Sequence, residues 1–245
     1  METIADGIVR LGSRLHNFYL LIEGGKATAI DVGCSGDLGT LVEGLAAEGL
    51  TLDDVEGVVL THAHADHAGA ARAAADKGVD IHAHRDEVDR LLGTYEGKEA
   101  ITPLDLPLWK PVVWSFLSTL ARRGVLKQPR LIDVTAFDDG DTLDLPGKPV
   151  VIHTPGHTEG HTAFHVPDKK VLFSGDSMVT IGLIGPAPGP QLMPTQFHND
   201  AELAAASLER LEGIDADMVL PGHGDAYKGS PESMVEKVRA RLGAS

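Results

Sequence analysis

Four times along this chain a short apolar run ends in a loop carrying histidine or aspartate. Val58-Val59-Leu60 leads into His62-Ala63-His64-Ala65-Asp66-His67, and Val150-Val151-Ile152 into Thr154-Pro155-Gly156-His157. Val171-Leu172-Phe173 leads into Ser174-Gly175-Asp176, and Met218-Val219-Leu220 into Pro221-Gly222-His223-Gly224. Buried strands that each deliver a polar group at one end place those groups on rigid supports, and the adjacent glycines let the backbone turn sharply. Four donors crowd into the first loop alone. Packing a core does not call for three imidazoles and a carboxylate so close together, whereas binding a divalent transition metal does.

Composition narrows the partners. With 36 acidic against 21 basic residues the net charge is −15, which repels phosphate backbones unless a local basic patch offsets it. The densest basic spots, Arg122-Arg123 and Lys237 to Arg241, are short, so no nucleic-acid partner is expected. No run approaches the ~20 apolar residues that span a bilayer. The first residues show no basic region followed by an apolar core. The single cysteine, Cys34, excludes an intrachain disulfide and fits a reducing, cytoplasmic setting. It reads as a small buried hydrophobe.

Strand-like and helix-like segments alternate. Ile8 to Leu11, Phe18 to Glu23 and Ala27 to Asp31 read as three early strands, and Leu38, Leu41, Val42 and Leu45 as one helix face capped by Ser35 or Asp37. Helices are expected over Ala68 to Lys77, Arg85 to Leu92 and Ala201 to Leu211. Further strands are expected over Val79 to Ala83, Thr142 to Leu145, Ala163 to Val166 and Met218 to Leu220. The halves look alike, which predicts two sheets with helices outside, facing each other across a shared core in a single 1–245 domain. Residues from about 93 to 130 break the pattern with Pro103, Pro107, Pro111, Trp109, Trp114 and Phe116. This helical insertion reads either as a lid whose aromatics line a substrate pocket, or as extra core or a homodimer contact.

Thr61-His62-Ala63-His64-Ala65-Asp66-His67-Ala68-Gly69, Gly156-His157-Thr158, Ser174-Gly175-Asp176, Pro221-Gly222-His223-Gly224 and the early Ala29-Ile30-Asp31-Val32-Gly33 together resemble the metallo-β-lactamase superfamily, in the family's motif order over roughly residues 5 to 230. The resemblance implies an α/β fold, a four-layer αββα sandwich with the site at one edge of the sheets. It implies His62, His64 and His157 on one ion, Asp66, His67 and His223 on the other, and Asp176 bridging both. The ions would be divalent: Zn2+ first, with Fe or Mn as alternatives. Asp31 and His161 would support the ligands by hydrogen bonds.

The implied enzyme is a hydrolase in which a metal-bridging hydroxide, oriented by Asp66, attacks the carbonyl of an ester, thioester or lactone. The commonest β-lactamases carry Cys where this chain has Asp176, which points to the glyoxalase II-like and lactonase-like branch. Glyoxalase II adds a basic C-terminal helical region, whereas about twenty residues follow His223 here. Lactonases of the quorum-quenching kind carry a Tyr shortly after the bridging Asp, where this chain reads Ser177-Met178-Val179. The insertion and the Ile181 to Met193 loop favour a partly apolar small molecule. Three other readings stay open: a mononuclear-iron persulfide dioxygenase, a phosphodiesterase or nuclease of the same superfamily, and a non-enzymatic metal-binding protein. His82 and His84 read as structural. His16, His153, His165 and His198 read as ordinary polar residues, with His16-Asn17-Phe18 and His198 near the pocket rim.

Overall fold

The computed structural model describes residues 1–97, 114, 118, 121–124, 129–182 and 187–243. Among these, seven strands form one sheet in sequence order: β1 (Glu2–Ala5), β2 (Ile8–Ser13), β3 (His16–Glu23), β4 (Lys26–Ile30), β5 (Val55–Val59), β6 (Ile81–His84) and β7 (Thr135–Phe137). The first four run antiparallel, and β4 through β7 run parallel. A second sheet has the order β12-β11-β10-β9-β8, built from β8 (Val150–His153), β9 (Thr162–Val166), β10 (Val171–Gly175), β11 (Met218–Pro221) and β12 (Tyr227–Lys228).

Period-two side-chain alternation sorts these strands into layers. In β3, Phe18 and Leu20 face the helices while Tyr19 and Leu21 face the other sheet. In β10, Val171 and Phe173 point to the shared core and Leu172 points outward. The inter-sheet core holds Ile8, Tyr19, Ile30, Val59, Phe137, Phe164, Phe173 and Leu220. Helices Leu38–Ala47 and Ala71–Ala75 cover the first sheet through Leu41, Leu45, Ala71 and Ala74. Helix Pro231–Leu242 covers the second through Met234, Val235 and Val238, beside Leu208 and Leu211. The result is the four-layer αββα sandwich.

Local departures have physical causes. A fourth early strand, β1, pairs at the exposed edge through a bulge, and its Glu-Thr-Ile-Ala sequence offers no buried alternation to read. The expected strand over Thr142 to Leu145 is reduced to a bridge between Thr142 and Val150, while Thr135–Phe137 supplies β7. The Ala68 to Lys77 helix shortens to Ala71–Ala75. Arg85 to Leu92 and Ala201 to Leu211 each divide between a 3-10 turn and an α-helix. Asp37 stands at the start of helix Leu38–Ala47 without capping it. Its Oδ2 instead accepts from the Cys34 N–H (2.9 Å) and lies 2.9 Å from His16 Nε2, and Oδ1 meets Arg123 (2.5 Å). Of the insertion, Trp109 and Phe116 lie outside the described residues, and Trp114 is 58% exposed.

Candidate metal centre

The loops that follow β5, β8, β10 and β11 converge between the two sheets. His62 Nε2 and His157 Nε2 each lie 3.0 Å from His64 Nδ1. Nearby, His67 Nε2 lies 3.4 Å from His223 Nε2, which is 3.6 Å from Asp66 Oδ2. The Asp176 carboxylate stands between these groups: Oδ2 is 3.1 Å from His223 Nε2 and 3.5 Å from His157 Nε2, and Oδ1 is 3.6 Å from His67 Nε2. All seven side chains named from the sequence are therefore brought together. Asp66 and His64 are partly exposed, and the other five are buried.

Hydrogen bonds around the cluster fix which nitrogens face inward. Asp31 accepts from the Thr61 N–H and the Thr61 hydroxyl, both at 2.8 Å, and from His67 Nδ1, also at 2.8 Å. With its proton on Asp31, Thr61 Oγ1 accepts from His62 Nδ1 at 3.0 Å. His223 Nδ1 donates to the Leu15 carbonyl. Each of these imidazoles thus engages its Nδ1 outside and turns Nε2 into the cavity, the usual outer support of a ligating histidine. Asp31 adopts φ +59°, a left-handed conformation that Asp tolerates better than most residues. His161 acts one step further out. Its Nε2 accepts from the Asp176 N–H (2.9 Å) and its Nδ1 meets Thr154 Oγ1 (2.9 Å), so it holds the backbone of Asp176.

Three backbone supports were not assigned from the sequence, which placed Asn17 only near the pocket rim. Glu87, fully buried, accepts from the Ala63 N–H (2.8 Å) and the Gly160 N–H (2.9 Å), tying the His62–His67 loop to the loop after His157. Asn17 donates to the Pro221 and Gly224 carbonyls (2.9 and 2.7 Å), and the Tyr19 hydroxyl donates to Pro221 (2.7 Å), fastening the His223 turn. These residues serve backbone atoms far away in the chain, so no local spacing marks them. His198, read as an ordinary polar residue at the rim, packs edge-on to His157 at 5.3 Å and donates through Nε2 to the Met193 carbonyl (3.0 Å).

Burial opposes charge throughout the cluster, and the carboxylates and imidazoles answer each other. Burial alone would lower the His67 imidazole, but Asp176, Asp31 and Asp66 push it up to about 10. Burial would raise the Asp176 carboxyl, yet His223 and His67 hold it well below the usual carboxylate range. His62 and His157 are lowered well below an ordinary histidine, first by burial. Burial pushes the Cys34 thiol up, in keeping with an inert buried side chain.

The donors fit divalent ions. Tetrahedral zinc with Zn–N near ~2.0–2.1 Å sets its ligand atoms ~3.3 Å apart, close to the 3.0 Å seen among His62, His64 and His157. Asp176 Oδ1 is buried without a hydrogen-bond partner, a costly arrangement unless something else neutralises it. A Cβ at Gly222 would collide with the Asp176 carboxylate and the His67 ring, so only glycine leaves room there.

The profile of the Metallo-beta-lactamase superfamily matches residues 11–223. The probable metallo-hydrolase YflN of Bacillus subtilis (strain 168) is 29% identical over 233 residues, spanning 88% of this chain and 78% of that protein. A hydroxyacylglutathione hydrolase of Cereibacter sphaeroides (strain ATCC 17023) is 27% identical over 201 residues, covering 81% of this chain and 58% of its relative. Among solved structures, TTHA1623 in a di-iron-bound form superposes with TM-score 0.61 at 27% identity, covering 90% of this chain and 93% of the other.

Proposed function

This chain belongs to the metallo-β-lactamase superfamily, and from that premise we propose that it is a dinuclear metal-dependent hydrolase acting on the carbonyl of a thioester, ester or lactone. His62, His64 and His157 would hold one cation, Asp66, His67 and His223 the other, with Asp176 shared. The observation that carries this reading is the Asp176 carboxylate, seated between the two imidazole groups at 3.1 Å from His223 and 3.5 Å from His157. When bound, divalent cations supply an acidified water and an electrophile for the substrate oxygen.

The chain's own residues account for the rest. Asp66 is the most open of the carboxylates in the cluster, at 17% side-chain exposure, so substrate approaches along its side. Its Oδ2 faces His223, which leaves Oδ1 to accept a hydrogen bond from an attacking water. His161 and Thr154 fix the peptide of Asp176, and Asp31 fixes the tautomers of His62 and His67. Zinc is the first expectation on donor chemistry; iron has support from the di-iron relative. The net charge of −15 disfavours polyanionic substrates.

The test is elemental analysis of purified protein with a hydrolysis panel of thioesters, lactones, β-lactams and phosphodiesters. Two equivalents of metal and turnover of an acyl substrate are expected. Asp176→Ala should lose metal and hydrolysis together, by roughly a hundredfold or more, whereas His84→Ala should leave hydrolysis within about twofold, since His84 lies outside the cluster. A single iron with oxygen consumption on a persulfide, or turnover of phosphodiesters alone, would replace this reading.

A further inference from the structure

The loops that carry His62, His64 and His157 come from different sheets, so their separation has to be held. At one point a backbone bond joins them, from the Thr162 N–H to the Thr61 carbonyl (2.8 Å). Two residues on, Glu87 makes the joint: Oε2 accepts from the Ala63 N–H (2.8 Å) and Oε1 from the Gly160 N–H (2.9 Å). Ala63 stands between His62 and His64, and Gly160 follows His157 in the same loop. Beside the fully buried Glu87 lies a buried cation, Arg90, with Nε 3.9 Å from Oε2 and a side chain 3% exposed. We propose that Glu87 and Arg90 act as one positioning unit for the cation assigned to His62, His64 and His157, and this rests on that assignment.

The joint works best when Glu87 is ionised. A carboxylate accepts at both oxygens through charge-assisted bonds, whereas an amide turns a donor toward one of the two N–H groups. Burial raises the Glu87 carboxyl above its ordinary value, while the Ala63 N–H, the Arg90 charge and the Gly160 N–H work against that rise. In a site this dry, an opposite charge weighs far more than it would at the surface.

Arg90 is itself held in place. Its Nη2 donates to Glu159 Oε2 (2.8 Å), its guanidinium lies 3.7 Å over the Tyr95 ring, and the Tyr95 hydroxyl donates to Glu159 Oε1 (2.8 Å). Asn199 Nδ2 donates to the same Oε2 (2.9 Å), and the Asn199 N–H to the His157 carbonyl (3.1 Å). The Glu159 carbonyl accepts from His153 Nε2 (2.8 Å), whose ring stacks on His84 at 4.0 Å. Arg90 therefore stands between one carboxylate from the first-sheet side and one from the second. His67 and His223 are anchored elsewhere, on Asp31 and the Leu15 carbonyl, so the cation they share with Asp66 should feel this unit far less.

The experiment strips the metal, titrates Co2+ back while following its visible absorption, and measures both affinities by chelator competition. Wild type should take up two equivalents. Glu87→Gln and Arg90→Met should each weaken one equivalent by about tenfold or more and leave the other within about twofold. The weakened equivalent should be the one that His64→Ala loses. The double variant should lose no more than the worse single variant, because the pair acts together. Arg90→Lys, which keeps the charge, should recover most of the affinity lost in Arg90→Met. Urea midpoints of the metal-free chains separate these effects from a general loss of fold, and Glu87→Gln, which keeps the volume, carries the test alone if Arg90→Met does not fold. Wild-type affinities in both single variants, equal weakening of both equivalents, or additive losses in the double variant would overturn the proposal and leave the ligand assignment standing. Fewer than two equivalents in wild type would overturn the assignment and the proposal together.

Discussion

At the scale of single residues, the centre depends on how its ligands are held as much as on which they are. Asp31 is the hub, since its two oxygens accept from Thr61 twice and from His67 once. Asp31→Asn keeps an acceptor for the Thr61 N–H but puts an NH2 where His67 and the Thr61 hydroxyl donate. The fold should survive, and metal affinity should fall about ten- to a hundredfold, read by chelator competition. Unchanged affinity would remove Asp31 from the support of the centre. The seven clustered donors were legible in the sequence because their chemistry dictates residue type and the strand-end pattern marks their place. The backbone-supporting roles of Glu87, Asn17 and Tyr19 were not. A backbone N–H or carbonyl can pair with many residue types, and theirs lie 24 to 207 positions away.

At the scale of elements, β3, β4 and β10 were readable as apolar runs because each strand is buried on both faces by different layers. The edge strand β1 and the three-residue β7 lack that signal. The Asp37 position reads as a cap, but the carboxylate was recruited to join β3 to residues 121–124: His16 and Arg123 both bind it, and Gly36 donates to the Arg123 carbonyl (2.9 Å). Burial would raise the Asp37 carboxyl, but the His16 hydrogen bond and the charges of His16 and Arg123 hold it below its ordinary value. An acid depressed on folding contributes stability that is full above its unfolded pKa, near ~4, and is lost as pH falls through the folded value. The gap in urea midpoint between wild type and Asp37→Asn should therefore be constant near neutrality and shrink in acid below ~4. A gap that widened in acid would contradict the latch.

For the whole molecule, the two sheets share one apolar core and, on the proposed assignment, one pair of cations. The resident ions bind only the assembled site, so they should add stability by mass action, about 2.7 kcal/mol when free metal is a hundredfold above its dissociation constant. Urea unfolding with and without chelator measures this directly. Equal midpoints would mean that the folded chain gains nothing from metal. The two-layer arrangement was visible in the sequence as two similar halves. The His84–His153 stack was not, because its members come from different sheets and only the fold brings them face to face.

The first sheet's loop contributes His62, His64, Asp66 and His67, and the second sheet's loops contribute His157, Asp176 and His223. A chain severed between residues 97 and 129 would leave four donors on one fragment and three on the other. Neither fragment could build a complete coordination sphere alone, so cation capture would become a gauge of whether the severed pieces had re-mated.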